Sequence, residues 1–172
     1  MSNNINEILK YYLLKPKTLI MMVGAPGSGK TIMRKFLAEN FENVEVICPD
    51  DIRVELFNDE SDQTHNKEVF AKVYHRLVTS LDNGHTVIYD ATNCNSIHRN
   101  RIFSVIKSHY DDVICLVSNA TLSECLQGND AREKHVPEEV IERMYMNLKK
   151  YPPSIFEGYS AIIAFDRTDC ND

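Results

Sequence analysis

The sequence predicts an α/β fold, in which a five-stranded, mostly parallel sheet is flanked by helices. Continuous apolar runs of strand length alternate with segments of helical period, as expected for a sheet that is buried on both faces. The first apolar run is followed by a glycine-rich turn and then by a helical pattern, an order that opens a βαβ unit. The 172 residues suit one domain, 1–172.

The predicted elements follow one another with short connections. Five segments have the apolar character of buried strands: 18–23, 44–47, 85–89, 113–117 and 159–165. Seven segments have helical periodicity: 5–14, 30–40, 51–57, 64–81, 95–109, 121–131 and 138–151. Asn83 and Gly84 mark the end of the fourth helix, because glycine accepts the left-handed backbone that often closes a helix.

The composition narrows the class of protein. Lys and Arg total 19 and Asp and Glu total 25, so the net charge of −6 argues against a general nucleic-acid coat, although a local basic patch stays open. No stretch approaches the roughly 18 apolar residues of a membrane span, and the N-terminus has no signal-peptide pattern. The 5 scattered cysteines favour a reducing compartment over a disulfide framework or a zinc site. A cytoplasmic location without a membrane partner is therefore expected.

A phosphate-binding motif follows the first strand. Its eight residues are Gly24, Ala25, Pro26, Gly27, Ser28, Gly29, Lys30 and Thr31. The spacing matches the Walker A pattern, whose glycines let successive N–H groups point into one anion-binding nest at a helix N-terminus. Lys30 is expected to neutralise the β- and γ-phosphates, and Thr31 is expected to coordinate Mg²⁺. The motif predicts a P-loop NTPase fold with a bound nucleoside triphosphate.

The remaining sequence favours phosphate transfer over hydrolysis. A GTPase commonly reads guanine with Asn-Lys-x-Asp, and the nearest segment, residues 66–69, lacks the final Asp and lies in a predicted helix. A mechanical ATPase commonly has a Glu after its Walker B Asp, to polarise water. Here Asp90 is followed by Ala91. We therefore expect transfer to a bound acceptor.

Carboxylates follow two of the predicted strands, at the edge where open α/β sheets bind ligands. Asp50 and Asp51 follow the second strand, and Asp90 follows the third. Asp50 is a candidate general base, Arg53 could bind an acceptor phosphate bidentately, and Asp90 suits Mg²⁺ through water. Alternatively, Asp50 or Asp51 caps the next helix, and Asp90 is an ordinary strand-end residue.

Several motifs together resemble the polynucleotide 5′-kinase branch of P-loop kinases. In chain order they are the glycine-rich loop of residues 24–31, then Asp50-Asp51-Ile52-Arg53, Asp59-Glu60-Ser61-Asp62-Gln63, Tyr89-Asp90-Ala91-Thr92-Asn93, residues 124–132, and Val136-Pro137-Glu138. The glycine-rich loop alone is generic, whereas the ordered set is much more specific. The resemblance covers roughly residues 18–145. It implies an ATP-dependent kinase that acts on nucleic-acid ends and a setting in nucleic-acid repair.

The resemblance implies roles on the acceptor side. Asp50 would be the general base toward the 5′-hydroxyl of DNA or RNA. Arg53 would bind the neighbouring phosphate of the acceptor. Asp90 would support the metal or the acceptor, and Thr92 and Asn93 would line the site.

The resemblance also implies a lid over the nucleotide at about residues 121–137, with ATP and Mg²⁺ as cofactors. Family members have two lid arginines, spaced as Arg-Asn-x-x-Arg. This chain keeps the second as Arg132 and has Gly128 in place of the first. Loss of a cation near the transferred phosphoryl group weakens stabilisation of the transition state. Activity is therefore expected to be low unless Lys134 or Arg143 substitutes, and Gly128→Arg is expected to raise it.

Three classes of function remain open from sequence alone. The leading hypothesis is a kinase of nucleic-acid 5′ ends, and the second is a kinase of a small acceptor such as a nucleoside, nucleotide or sugar, which the net charge of −6 favours. The third is a non-catalytic nucleotide-binding module, which Gly128 favours. Arg99 and Arg101 could contact an acceptor strand, although solvated helix faces are the simpler interpretation.

Overall fold

The strands of the protein form one parallel sheet with helices on both faces. The computed structural model describes residues 2–170. The strands are β1 (Thr18–Val23), β2 (Val44–Ile47), β3 (Thr86–Tyr89), β4 (Asp112–Ser118) and β5 (Ala161–Phe165). The helices are α1 (Ser2–Leu13), α2 (Lys30–Asn40), α3 (Pro49–Phe57), α4 (Asn66–Asp82), α5 (Ser96–Ile106), α6 (Leu122–Asp130) and α7 (Glu138–Lys150). Two short 3-10 helices lie at Ile155–Glu157 and Arg167–Cys170.

The strand order places the predicted functional segments side by side. The order is β2-β3-β1-β4-β5, and all four pairs are parallel. Leu19 of β1 therefore has Val87 of β3 on one side and Val113 of β4 on the other. Since the carboxyl ends of parallel strands share one edge, the segments that follow β1, β2 and β3 meet there.

Alternate residues of β1 build two separate cores. Leu19, Met21 and Val23 are fully buried against the face that carries α4 and α5. Ile20 and Met22 are fully buried on the opposite face, against α1 and α2. Both faces of this central strand are thus covered, which explains its uninterrupted apolar run. The two packed faces fix the end of β1, from which the glycine-rich loop begins.

The predicted strands and helices are all confirmed, with ends that shift by a few residues. The sheet is entirely parallel, and the two 3-10 helices were not predicted. The alternative that Asp50 or Asp51 caps a helix is wrong, because α3 begins at Pro49 with Cys48 as its N-cap residue. Both aspartates lie in the first turn, where the helix dipole favours a negative charge. No helix within residues 2–170 has the length and apolar character needed to cross a bilayer.

Candidate active site

The glycine-rich loop connects the buried end of β1 to the start of α2. Gly27 and Gly29 have positive φ angles of 76° and 97°, in the left-handed region that side chains disfavour. The N–H of Gly24 donates to the carbonyl of Thr92 at 2.9 Å, so the loop is tied to the segment after β3. The loop thus has the backbone conformation and the anchored ends that an anion nest requires.

Lys30 lies inside this loop. Only 9% of the residue is exposed, and its Nζ donates to the carbonyls of Gly24 at 2.8 Å and Ala25 at 3.0 Å. Burial lowers the pKa of the Lys30 ammonium, and the nearby Asp90 carboxylate opposes this effect. The ammonium donates to neutral carbonyl oxygens, and among residues 2–170 no carboxylate lies within 4.0 Å of it, so an anion at the loop would gain a cation that is already in place.

Asp90 follows β3 and is 7% exposed. Arg34 of α2 lies 3.1 Å from its carboxylate and 3.4 Å from that of Asp51, measured from Nη1 to Oδ2 in each case. Burial raises the pKa of Asp90, whereas the charges of Lys30 and Arg34 lower it. Sequence reasoning missed Arg34. Its position one helical turn after Lys30 was the available signal, because residues four apart share a helix face.

Asp50 and Arg53 form an ion pair at the start of α3. Arg53 Nη1 donates to Asp50 Oδ1 at 2.6 Å, while its Nε donates to the Asp62 carbonyl at 3.0 Å and its Nη2 to Asn66 Oδ1 at 2.8 Å. The Arg53 side chain is 7% exposed and that of Asp50 is 61% exposed. Three donors of Arg53 are therefore used within the protein, and they fix the position of an accessible carboxylate.

A cavity of about 530 Å³ lies beside the segment that follows β3. Its walls come from α4, the end of β3, the segment after β3 and α5. The lining residues include Asn66, Lys67, Phe70, Tyr74, Thr92, His98 and Arg101. Asn93 also lines it, and its side-chain amide donates to the Met22 carbonyl at 2.7 Å. The amide of Asn93 therefore anchors the segment to β1, and Thr92 also lines the cavity.

Arg99 and Arg101 have different environments on α5. The interpretation of Arg99 as a solvated residue is wrong, because its side chain is 0% exposed and pairs with Glu157 at 2.7 Å. Arg99 also donates to the carbonyls of Asn93 at 3.1 Å and Tyr151 at 2.9 Å. Arg99 is thus buried in a structural role, whereas Arg101 is exposed and lines the cavity.

The segment predicted to be a lid begins at α6, where Thr121 and Glu124 form a capping box. Asn129 donates to the carbonyl of Val136 and accepts from its N–H, both at 2.9 Å, which closes the turn after α6. This turn carries Arg132, which is exposed and close enough to Lys30 to contribute to the lowering of its pKa. The predicted lid and P-loop cations therefore lie in one region.

Two oxygen donors at this edge suit Mg²⁺. Thr31 is exposed at the start of α2, and Asp90 is the buried carboxylate at the end of β3. Mg²⁺ prefers oxygen ligands, keeps several waters and commonly takes only one or two protein ligands beside the phosphates. A hydroxyl with a carboxylate is such a donor set, so the residues present fit this ion.

Comparison with protein families agrees with this geometry. Residues 19–151 match the family model described as an AAA domain. The chain belongs to this AAA domain family. Its parallel sheet and its glycine-rich loop are those of a P-loop NTPase fold, and this fold is shared with solved structures.

Solved structures similar to the chain include kinases with different acceptors. A chain of the Pnkp1/Rnl/Hen1 RNA repair complex is 24% identical with a TM-score of 0.72, over 82% of this chain and 47% of that one. A fungal RNA kinase is 17% identical with a TM-score of 0.60, over 87% and 38%. A gluconokinase from Sinorhizobium meliloti is 12% identical with a TM-score of 0.57, over 91% and 90%. The chain thus spans less than half of either RNA-acting protein.

Proposed function

We propose that the protein transfers the γ-phosphate of ATP to the 5′-hydroxyl of a nucleic-acid end. The observation that carries this proposal is the connection between Asp50 and the cavity. Arg53 donates both to Asp50 and to Asn66, and Asn66 lines the cavity. An acceptor in the cavity would therefore have the exposed carboxylate of Asp50 near its edge, where a kinase needs a proton acceptor.

The cavity has the chemical character of a nucleotide site. Phe70 and Tyr74 supply flat aromatic surface from α4, and stacking of a base on an aromatic side chain contributes about 1–3 kcal/mol. Lys67, His98 and Arg101 are exposed around the same cavity and suit the phosphates of a strand. Stacking surface with peripheral cations favours a nucleic-acid acceptor over a sugar, which would be bound mainly through its hydroxyls.

Asp50 acts as the general base in this proposal. Arg53 binds Oδ1, and within residues 2–170 no hydrogen bond is found to Oδ2. Oδ2 is therefore available to accept the proton of the acceptor hydroxyl as the phosphoryl group is transferred. Arg53 orients the carboxylate and helps to hold its negative charge, so in this conformation it is a positioning residue for Asp50.

ATP occupies the glycine-rich loop. Its phosphates accept from the backbone N–H groups of residues 27–31, and Lys30 exchanges the carbonyls of Gly24 and Ala25 for phosphate oxygens. Thr31 and Asp90 hold Mg²⁺, which neutralises phosphate charge when it is bound. Arg132 reaches the phosphates from the lid. The negative charge that develops during transfer thus faces cations already in place.

The structural neighbours support an RNA- or DNA-directed kinase without deciding the acceptor, since the RNA repair chain and the gluconokinase share the fold. A small acceptor is the second candidate function. The net charge of −6 favours it, because a long strand gains affinity from basic surface. The volume of about 530 Å³ also suffices for a single nucleotide.

The proposal is tested by transfer of labelled phosphate from [γ-³²P]ATP with Mg²⁺. DNA and RNA oligonucleotides with a 5′-hydroxyl, a 3′-nucleotide, a nucleoside and gluconate serve as parallel acceptors. Label on an oligonucleotide, absent when its 5′ end is already phosphorylated, is the expected result. Label on the small acceptors alone would replace this proposal with the second candidate, and nucleotide binding with no transfer to any acceptor would contradict both.

A further inference from the structure

At Gly128 in the lid helix, the space that a side chain would occupy is taken by Arg167 and Gly27. A Cβ atom built on Gly128 would overlap Arg167 Nη2 and the Gly27 carbonyl oxygen, and it would lie 3.0 Å from the Gly27 carbonyl carbon. A Cβ atom on Gly27 would likewise overlap the Cys125 carbonyl and lie 2.8 Å from the Asn129 nitrogen. The lid and the glycine-rich loop therefore touch through two glycines, and a side chain at position 128 would separate them.

Arg167 reaches this contact from the segment after β5. Its stem crosses the glycine-rich loop so closely that a Cβ atom on Gly29 would lie 2.8 Å from Arg167 Cγ. Its Nη2 donates to the Gly27 carbonyl and, at 2.9 Å, to the Glu124 carbonyl of α6. One guanidinium thus bridges the phosphate-binding loop and the lid, in the space that a lid arginine at position 128 would enter.

The guanidinium of Arg167 has a hydrogen-bond donor without a partner at this position. Its Nε is buried without a hydrogen-bond partner, and no carboxylate lies within 4.0 Å of its nitrogens among the side chains that the structure describes. The nearest acidic residue on the lid, Glu124, is engaged in the capping box with Thr121. Among the described residues, the hydrogen bonds of Arg167 go to carbonyl oxygens alone, although a guanidinium binds phosphate oxygens more strongly than neutral acceptors.

We propose that Arg167 binds the phosphates of the nucleotide and supplies the cation that position 128 lacks. The inference rests on the proposed binding of ATP at the glycine-rich loop. When a nucleotide enters, the guanidinium exchanges the Gly27 carbonyl for a phosphate oxygen. The absence of a side chain at Gly128 then leaves room for the guanidinium of Arg167, which follows β5. A glycine at position 128 therefore does not imply a weakened kinase.

The test is ADP affinity, measured by isothermal titration calorimetry for the full chain and its variants. Arg167→Gln removes the charge and is expected to weaken ADP binding at least tenfold. Arg167→Lys keeps the charge and is expected to bind ADP within about threefold of the unmodified protein. Arg76→Gln is the matched control, because Arg76 pairs with Glu55 on the surface between α3 and α4. The melting temperature without nucleotide is measured for all four proteins.

Two results with the Arg167 variants would overturn the inference. One is an Arg167→Gln variant that binds ADP within twofold of the unmodified protein. The other is an equal loss of affinity in the Gln and Lys variants, together with an equal fall in melting temperature, because this would show that Arg167 only holds the loop and lid together. ADP binding needs no acceptor, so failed transfer to oligonucleotides leaves this test intact. Failure of the unmodified protein to bind ADP would overturn both proposals.

Discussion

The glycine-rich loop and the cavity beside the segment after β3 lie at the same edge of the sheet but are built in different ways. The loop is one continuous segment, residues 24–31, whose glycines and lysine act through local backbone geometry. The cavity is assembled from α4, β3, α5 and the segment after β3. A site made from one segment is specified by local sequence, whereas a site made from four segments depends on how those segments pack.

The sharpest test of the loop is Lys30→Ala. The variant loses a buried ammonium that donates to two carbonyls of the loop, so phosphate transfer is expected to fall at least about 10³-fold, with weaker ADP binding. Lys35→Ala on the exposed face of the same helix is the control and is expected to retain activity. Normal turnover by the Lys30→Ala variant would remove the glycine-rich loop from the mechanism.

The acceptor side is tested by Asp50→Asn, which keeps the shape of the side chain and removes its basicity. Transfer is expected to fall by about 10²-fold or more, while ADP affinity and the melting temperature stay unchanged. Asp51→Asn is the matched control, since Asp51 is the next residue in the same helical turn and contacts Arg34 at 3.4 Å. Equal losses of stability and activity in the Asp50 variant would identify a structural carboxylate.

The order of the elements and the glycine-rich loop could be predicted because their signals are local. Strand length, helical period and the Gly-x₄-Gly-Lys-Thr spacing each lie within a short window. The partners of Arg99 could not be predicted in this way. The next two residues, Asn100 and Arg101, are polar and suggest a solvated face, yet Arg99 is buried against Glu157, 58 residues away. The buried charge of Arg99 is tolerated because the Glu157 carboxylate neutralises it. A partner so far along the chain cannot be identified from local sequence.

The same difference applies to the candidate site. Asp50, Arg53 and Asp90 were found because each follows a strand end, and the structure does bring them to one edge. Arg167 also follows a strand, but its contact with Gly27 spans 140 positions of sequence. The sequence therefore indicates which residues reach the edge of the sheet, and packing decides which of them touch.

For Gly128→Arg, the sequence and the structure predict opposite effects on nucleotide binding and activity. Under the interpretation from sequence, the new arginine supplies a second lid cation and raises activity. The structure shows no room for a side chain, because its Cβ atom would overlap Arg167 and the Gly27 carbonyl. ADP affinity is therefore expected to fall about tenfold. Gln127→Arg is the matched control, since the neighbouring residue is exposed and adds the same charge. Higher activity in the Gly128 variant would show that the lid moves away from the loop during catalysis.

The smallest expected effect separates the two classes of acceptor. Tyr74→Leu keeps an apolar side chain and removes the aromatic face of the cavity, so the KM for an oligonucleotide is expected to rise about fivefold, the lower end of what base stacking contributes. The KM for ATP should not change, because Tyr74 lies in α4, away from the glycine-rich loop. Tyr11→Leu on α1, where the tyrosine is 60% exposed, controls for loss of a surface aromatic residue. An unchanged oligonucleotide KM would mean that the aromatic wall does not contact a base, and the cavity would then favour a small acceptor held by polar groups.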